Sequence, residues 1–121
     1  MDPLYKRKKE YLYKYRNWCI RINLMENKLN TEEYGTDNFI EMQERIRKIT
    51  LKKKKAKKEI LYHLKQLKSA KSYEVLYLHF IKLYSLKELS KKLDCQYTCI
   101  IHRFNAGNKK IKIPSIEEET K

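Results

Sequence analysis

Six side chains near the carboxyl end of the chain have the chemistry to recognise base pairs. Gln96 and Asn105 carry amides that can pair bidentately with adenine, Thr98 and Ile101 can contact thymine methyl groups, and His102 can donate to guanine or to a phosphate. The complete set is Gln96, Tyr97, Thr98, Ile101, His102 and Asn105. These residue types within ten positions predict contacts with base edges in a DNA groove.

A second set of side chains is cationic and suits phosphates, which position a protein on DNA without specifying sequence. Part of this set flanks the base-reading residues. The rest lies in residues 52–58, where six lysines in seven positions wrap around a helix and form what we name the lysine collar. The candidate phosphate contacts are Lys87, Lys91, Lys92, Arg103, Lys109, Lys110, Lys52, Lys54, Lys55 and Lys58. For the collar, a solvated helix surface is an equally good interpretation.

A helix-turn-helix pattern is expected to position the base-reading residues. Ser85 can cap a helix, and Glu88 three residues later completes a capping box. Asp94 lies at the expected turn, where a positive φ is often needed and Asp tolerates it. After the turn, Ile100 and Phe104 should face inward on a second helix. The apolar face of the first helix consists of Leu86, Leu89 and Leu93.

A supporting helix is expected immediately before this motif. Val75, Leu76, His79 and Phe80 share one helical face, and Leu83 should continue it. Gly107 is expected to end or fray the last helix of the motif. From residue 114 the chain becomes an acidic tail that we expect to be disordered.

The amino-terminal half predicts two long helices, over about residues 3–29 and 38–67. Apolar residues recur in each at alternating spacings of four and three, which is a heptad pattern. The first seam is Tyr11, Tyr15, Trp18, Ile22, Met25 and Leu29; the second is Met42, Ile46, Ile49, Lys53, Ala56, Ile60, His63 and Leu67. A short polar connection favours an antiparallel hairpin. Dimerisation through these helices stays open, because a single long helix could instead pair with a second copy.

Composition predicts an all-α protein whose surface attracts polyanions. The 121 residues include only two glycines and two prolines, and the net charge is +14. Such a surface binds nucleic acid through counterion release. No apolar run approaches a membrane span, and the amino terminus lacks a secretory signal. The odd set Cys19, Cys95 and Cys99 indicates a reducing cytoplasm. Cys95, Cys99 and His102 do not make a persuasive metal site, because zinc normally needs four ligands.

The segment from Tyr73 to Ile111 resembles region four of bacterial sigma factors, in the version found in ArpU/RinA-like phage late-gene regulators. The matching positions are Val75, Leu76, Leu78, Ser85, Leu86, Lys87, Glu88, Leu89, Leu93, Ile100, Ile101, His102 and Ala106. The YLYKYRNWCIRIN stretch is similar to the opening helix of that group. Ser90, Arg103 and Gly107 depart from the pattern. The resemblance implies a phage-encoded regulator that binds a promoter-proximal site and contacts RNA polymerase.

Taken together, these patterns predict a helical hairpin over residues 1–69, a helix-turn-helix domain over 70–113 and a tail over 114–121. The expected function is regulation of transcription by binding double-stranded DNA in a bacterial cytoplasm, without a membrane and without a cofactor. Motifs of enzymes, such as a phosphate-binding glycine loop or HExxH, are not found in the sequence. Two alternatives remain: a module that binds a host protein such as RNA polymerase or a nuclease, and a nonspecific architectural DNA binder.

Overall fold

The computed structural model describes residues 3–114, and every regular element within them is an α-helix. The predicted all-α class is therefore confirmed. The expected acidic tail lies outside the described residues, apart from Pro114. The helices are α1 (Pro3–Leu12), α2 (Lys14–Leu29), α3 (Asp37–Leu64), α4 (Ala70–Phe80), α5 (Leu86–Lys92) and α6 (Tyr97–Lys110).

The first predicted helix is interrupted at Tyr13, so the expectation of one helix over residues 3–29 is wrong. Tyr13 has φ −86° and ψ 1°, and it separates α1 from α2. The backbone hydrogen bonds on either side persist, from Tyr13 N to Lys9 O at 3.1 Å and from Asn17 N to Tyr13 O at 2.9 Å. The Tyr13 side chain packs on α4, with its hydroxyl 2.6 Å from His79 Nε2 and its ring centroid 5.0 Å from that of Phe80. We attribute the interruption to these tertiary contacts.

Helices α2 and α3 pack against each other in opposite directions. Thr36 caps α3 by accepting a hydrogen bond from the backbone N–H three residues later. Lys14 at the start of α2 forms an ion pair with Glu59 near the end of α3. Further along, the Lys52 ammonium lies 5.5 Å from the centre of the Trp18 ring. The two contacts show that α2 and α3 run antiparallel, because the later residue of α2 meets the earlier residue of α3. All the predicted seam residues are buried or half-buried.

The connection between α5 and α6 is set by local sequence. The predicted capping box is confirmed: Ser85 Oγ accepts from Glu88 N at 3.1 Å, and Glu88 Oε1 accepts from Ser85 N at 3.4 Å. The predicted positive φ is also confirmed, because Asp94 has φ 49°. Cys95 N donates to Ser90 O at 3.1 Å, which completes a Schellman-type helix end. These bonds fix the direction in which α6 leaves the turn.

One hydrophobic core joins the base of the hairpin to the three carboxyl-terminal helices. Its buried members come from α1, α3, α4, α5 and α6 and from the segment that follows α6. They are Tyr11, Leu12, Ile60, Leu64, Val75, Leu76, Phe80, Ile81, Leu89, Ile100 and Ile111. The orientation of α5 and α6 therefore depends on the same core that packs the end of α3.

Two expectations about this region are wrong. Leu83 does not continue the buried face of α4, because that helix ends at Phe80 and Leu83 lies in the following link at φ 66°, 39% exposed. Gly107 does not end the last helix, since α6 continues through it to Lys110. Gly107 is buried, and a Cβ built on it would lie 2.8 Å from Leu76 Cδ1. Its absent side chain allows α6 to approach α4 closely.

Candidate nucleic-acid interface

Helix α6 has one face in the core and another in solvent. Ile100 is fully buried, and Phe104 packs one turn later on Phe80, with ring centroids 5.7 Å apart. On the other side, four polar side chains at spacings of four, three and four are exposed. We name this set the α6 stripe; it consists of Thr98, His102, Asn105 and Lys109. Three of the six predicted base-reading residues are thus brought to one exposed helix face.

The other three base-reading candidates lie around this stripe. Gln96 is exposed at the N-cap of α6, with no side-chain capping bond. Tyr97 is 44% exposed and lines a shallow cleft with residues from the start of α5, including Ser85 and Glu88. Ile101 is half-buried. The structure therefore leaves Gln96 accessible beside the stripe and places Tyr97 toward α5.

The cationic candidates on α5 and α6 differ in how freely they can reach a phosphate. Lys87 and Lys91 are exposed on α5, whereas the Lys92 ammonium lies 5.0 Å from the centre of the Tyr84 ring. Lys110, like Lys109, is exposed in the last turn of α6. Arg103 is half-buried, and its Nη1 is 3.7 Å from Cys95 Sγ. Arg103 is consequently directed at the turn residue Cys95.

The lysine collar lies on α3, beside α2. Lys52, Lys54, Lys55 and Lys58 are all exposed, which leaves their ammonium groups accessible to a polyanion. Lys52, the first residue of the collar, contacts the Trp18 ring of α2 through its ammonium group. The α6 stripe therefore lies in the carboxyl-terminal part of the chain, whereas the collar lies on α3.

A third cationic element next to α6 was not predicted from the sequence. The Lys8 side chain of α1 reaches the carboxyl-terminal half of α6, where its Nζ donates to Asn108 O at 2.8 Å. Lys9 is exposed and lines, with Asn105 and Lys109, a cavity of about 590 Å³ between the two helices. The signal in the sequence is the basic run at residues 6–9, although nothing local relates it to residues a hundred positions away.

His79 connects Tyr13, the residue between α1 and α2, to the link between α4 and α5. Its Nδ1 donates to Tyr84 O at 2.8 Å, so Nε2 accepts from the Tyr13 hydroxyl at 2.6 Å in the neutral ring. Burial lowers the pKa of His79, and the nearby Arg16 charge acts in the same direction, while the bond to Tyr84 opposes them. The neutral ring is therefore the form that fits this network.

Burial likewise lowers the pKa of His63, which is buried in the hairpin seam as predicted. Its ring stands edge-on to Tyr11 at 5.3 Å, and Gln66 Nε2 lies 3.0 Å from its Nδ1. Within residues 3–114, no cluster of three or more His, Cys, Asp or Glu side chains could hold a metal ion. In the same range, no helix is long and apolar enough to cross a membrane.

Comparisons with known proteins give no relative from which a function could be transferred. No protein-family model, curated protein sequence or solved structure matches the chain. The functional argument therefore depends on the geometry and charge of the molecule itself.

Proposed function

We propose that this protein is a DNA-binding transcriptional regulator that inserts α6 into a major groove of double-stranded DNA. The observation that carries the proposal is the α6 stripe, an exposed polar edge on a helix whose opposite face is locked in the core. Amide, imidazole and hydroxyl groups on such an edge can read base pairs. A short helix and a tight turn before the reading helix are the usual device for presenting it.

The distribution of charge supports the same function. Helix α6 contains no acidic residue, and residues 70–113 hold nine basic and three acidic side chains. Two of those acidic residues have local roles, Glu88 in the capping box and Asp94 in the turn. Exposed lysines on α5 and α6, together with Lys9 of α1 beside Asn105 and Lys109, can neutralise phosphates of a bound DNA.

The setting that fits this function is the cytoplasm of a bacterial cell, with the protein supplied by a phage or mobile element. The resemblance of residues 73–111 to sigma region four supports a promoter-proximal site and contact with RNA polymerase. Binding of a host protein instead of specific DNA is the competing hypothesis. No feature of the described residues favours it over DNA reading.

Selection of bound oligonucleotides from a random pool at physiological salt tests the proposal. We expect a defined motif that survives competition by unrelated DNA. His102→Ala should then cost about 1–3 kcal/mol and relax selectivity at one or two base pairs. Lys87→Ala should weaken all sequences alike and reduce the salt slope by about 1. Lys48→Ala, an exposed lysine on the hairpin, is the matched control and should change neither property.

The proposal fails if random DNA of equal length competes as well as the selected motif. If His102→Ala lowers the affinity for the selected motif and for random DNA by the same factor, the protein binds DNA nonspecifically. Retention of one stoichiometric host protein after nuclease treatment, without any selected motif, would favour the competing hypothesis.

A further inference from the structure

The cavity between α1 and α6 has an apolar floor. Its volume of about 590 Å³ lies within the range of small-molecule sites. The floor consists of Leu12 and Phe80, both 1% exposed, and of the half-buried side chains of Tyr13, Leu86 and Phe104. We name this space the α1–α6 cavity. Because its floor belongs to the core that joins α1, α4, α5 and α6, the cavity is a fixed part of the fold.

Three side chains of the floor are aromatic and lie in contact with one another. The centroid of the Phe80 ring is 5.0 Å from that of Tyr13 and 5.7 Å from that of Phe104. Aromatic rings attract further rings in edge-to-face and offset arrangements at such distances. A flat ring placed in the α1–α6 cavity would also remove apolar surface from water. The floor therefore suits a ligand with an aromatic body.

The rim of the α1–α6 cavity is cationic, and no acidic side chain is among the described residues that line it. Lys9 and Lys109 are exposed at this rim. Lys8 is half-buried, and its Nζ donates to Asn108 O at 2.8 Å. Burial lowers the pKa of Lys8, because the ammonium group has lost part of its hydration. An anion bound beside Lys8 would compensate for that loss.

We propose that the α1–α6 cavity binds a small aromatic compound that carries one anionic group. The ring lies on the apolar floor, and the anionic group accepts hydrogen bonds from the Lys8 ammonium. An inorganic anion would leave the floor in contact with water, and a neutral aromatic compound would leave Lys8 without a counter-charge. The two parts of the cavity therefore favour a ligand that has both features.

The position of the cavity implies competition between this ligand and DNA. Asn105 and Lys109 line the α1–α6 cavity and also belong to the α6 stripe. A ligand that occupies these side chains should lower the affinity for DNA, and DNA should lower the affinity for the ligand by the same factor. This consequence rests on the proposed function, whereas the ligand site itself does not.

An NMR titration of the isotope-labelled full chain without DNA tests the site. The probes are indoleacetate, indoleacetamide, which has the same ring without the charge, and acetate, which has the charge without the ring. We expect indoleacetate to bind with a Kd on the order of 0.1 mM, and the other two probes about tenfold more weakly. Amide shifts should be largest at Leu86 and Asn108 and absent at Leu51, which is exposed on α3.

Two variants and a control assign the binding to particular side chains. Lys8→Gln removes the charge but keeps an N–H donor for Asn108 O, so it should weaken indoleacetate about tenfold and leave indoleacetamide unchanged. Leu86→Trp places a larger side chain in the cavity and should abolish the binding of both indole compounds. Lys48→Gln, at an exposed lysine on α3, is the matched control and should bind as the natural chain does.

Equal affinities for indoleacetate and indoleacetamide would overturn the inference. Unchanged indoleacetate binding in Lys8→Gln, or shifts spread evenly over the lysines of α3, would overturn it as well, because the anion would then be attracted by the general charge of the surface. These titrations contain no DNA and fail separately from the proposed function. If indoleacetate binds in the cavity without lowering the affinity for DNA, the competition is refuted and the ligand site stands. The lack of a selected DNA motif would count against DNA reading alone.

Discussion

Gly107→Ala tests whether the close approach of α6 to α4 sets the position of the α6 stripe. Replacing Gly by Ala inside a helix ordinarily stabilises it by about 1 kcal/mol. Here the added Cβ would lie 2.8 Å and 3.2 Å from the two δ-carbons of Leu76 and 3.4 Å from Ser72 Cβ. Leu76 is fully buried, so its side chain has little room to move away. Overpacking of this kind costs about 1–3 kcal/mol.

The two effects oppose each other, and we expect the steric effect to dominate. Gly107→Ala should therefore lower the free energy of unfolding by about 1 kcal/mol, with an upper bound of about 2 kcal/mol. Urea denaturation followed by far-ultraviolet circular dichroism measures this difference. DNA binding should weaken as well if the helix shifts outward to accommodate the methyl group.

The same substitution made in a Leu76→Val variant separates its steric effect from its effect on helix propensity. Leu76→Val removes the δ-carbons that the new Cβ would meet. In that background we expect Gly107→Ala to change sign and to stabilise the protein by up to about 1 kcal/mol. If Gly107→Ala already stabilises the natural chain, the reasoning is wrong and the contact with Leu76 places no constraint on α6.

Four further outcomes follow from particular contacts. Burial holds the pKa of His79 below its unfolded value of 6.5. The contribution of the neutral ring to the free energy of unfolding is therefore complete above pH 6.5 and is lost as the pH falls through the folded-state pKa. If His79→Gln showed the same dependence of stability on pH, this assignment would be wrong. Tyr13→Phe removes the hydroxyl that donates to His79 and should cost about 1–3 kcal/mol in urea denaturation. Ser85→Ala should cost about 1 kcal/mol, and much less when Glu88 is already Ala, because the two caps are reciprocal. Replacing the four collar lysines named as phosphate contacts should flatten the salt dependence of DNA binding by about 0.9 per lost contact, and an unchanged slope would exclude the collar from the interface.

Features encoded over a few residues were predictable from the sequence. The capping box at Ser85 depends on residues three apart, and the positive φ of Asp94 depends on the chemistry of a single turn residue. The inward direction of Ile100 follows from helical periodicity once that turn is fixed. Local rules suffice for such features because the interacting groups are neighbours in the chain.

Features that depend on distant contacts were not predictable. We attribute the break at Tyr13 to its contacts with His79 and Phe80, which are more than sixty residues away. Gly107 resembles a helix terminator in isolation, and only its packing on Leu76 reveals a close helix contact. Leu83 fits the periodicity of α4, yet that helix ends before reaching it.

The candidate interface shows the same division. The types and spacing of the residues on α6 are legible in the sequence, which is why the polar edge could be proposed before any fold was known. The neighbouring lysines of α1 are also visible, but their position beside Asn105 and Asn108 is not. That position depends on how α1 bends away from α2, and hence on contacts made across the core.

The sequence alone determined that this chain forms helices, where their caps and apolar faces lie, and that its surface is strongly cationic, because propensity, hydrogen bonding over three or four residues and charge are local properties. Tertiary structure decided which helices share a core and which face of α6 remains in solvent. Those outcomes depend on packing between residues far apart in the chain, where a difference of one methyl group at Gly107 is enough to alter the distance between two helices.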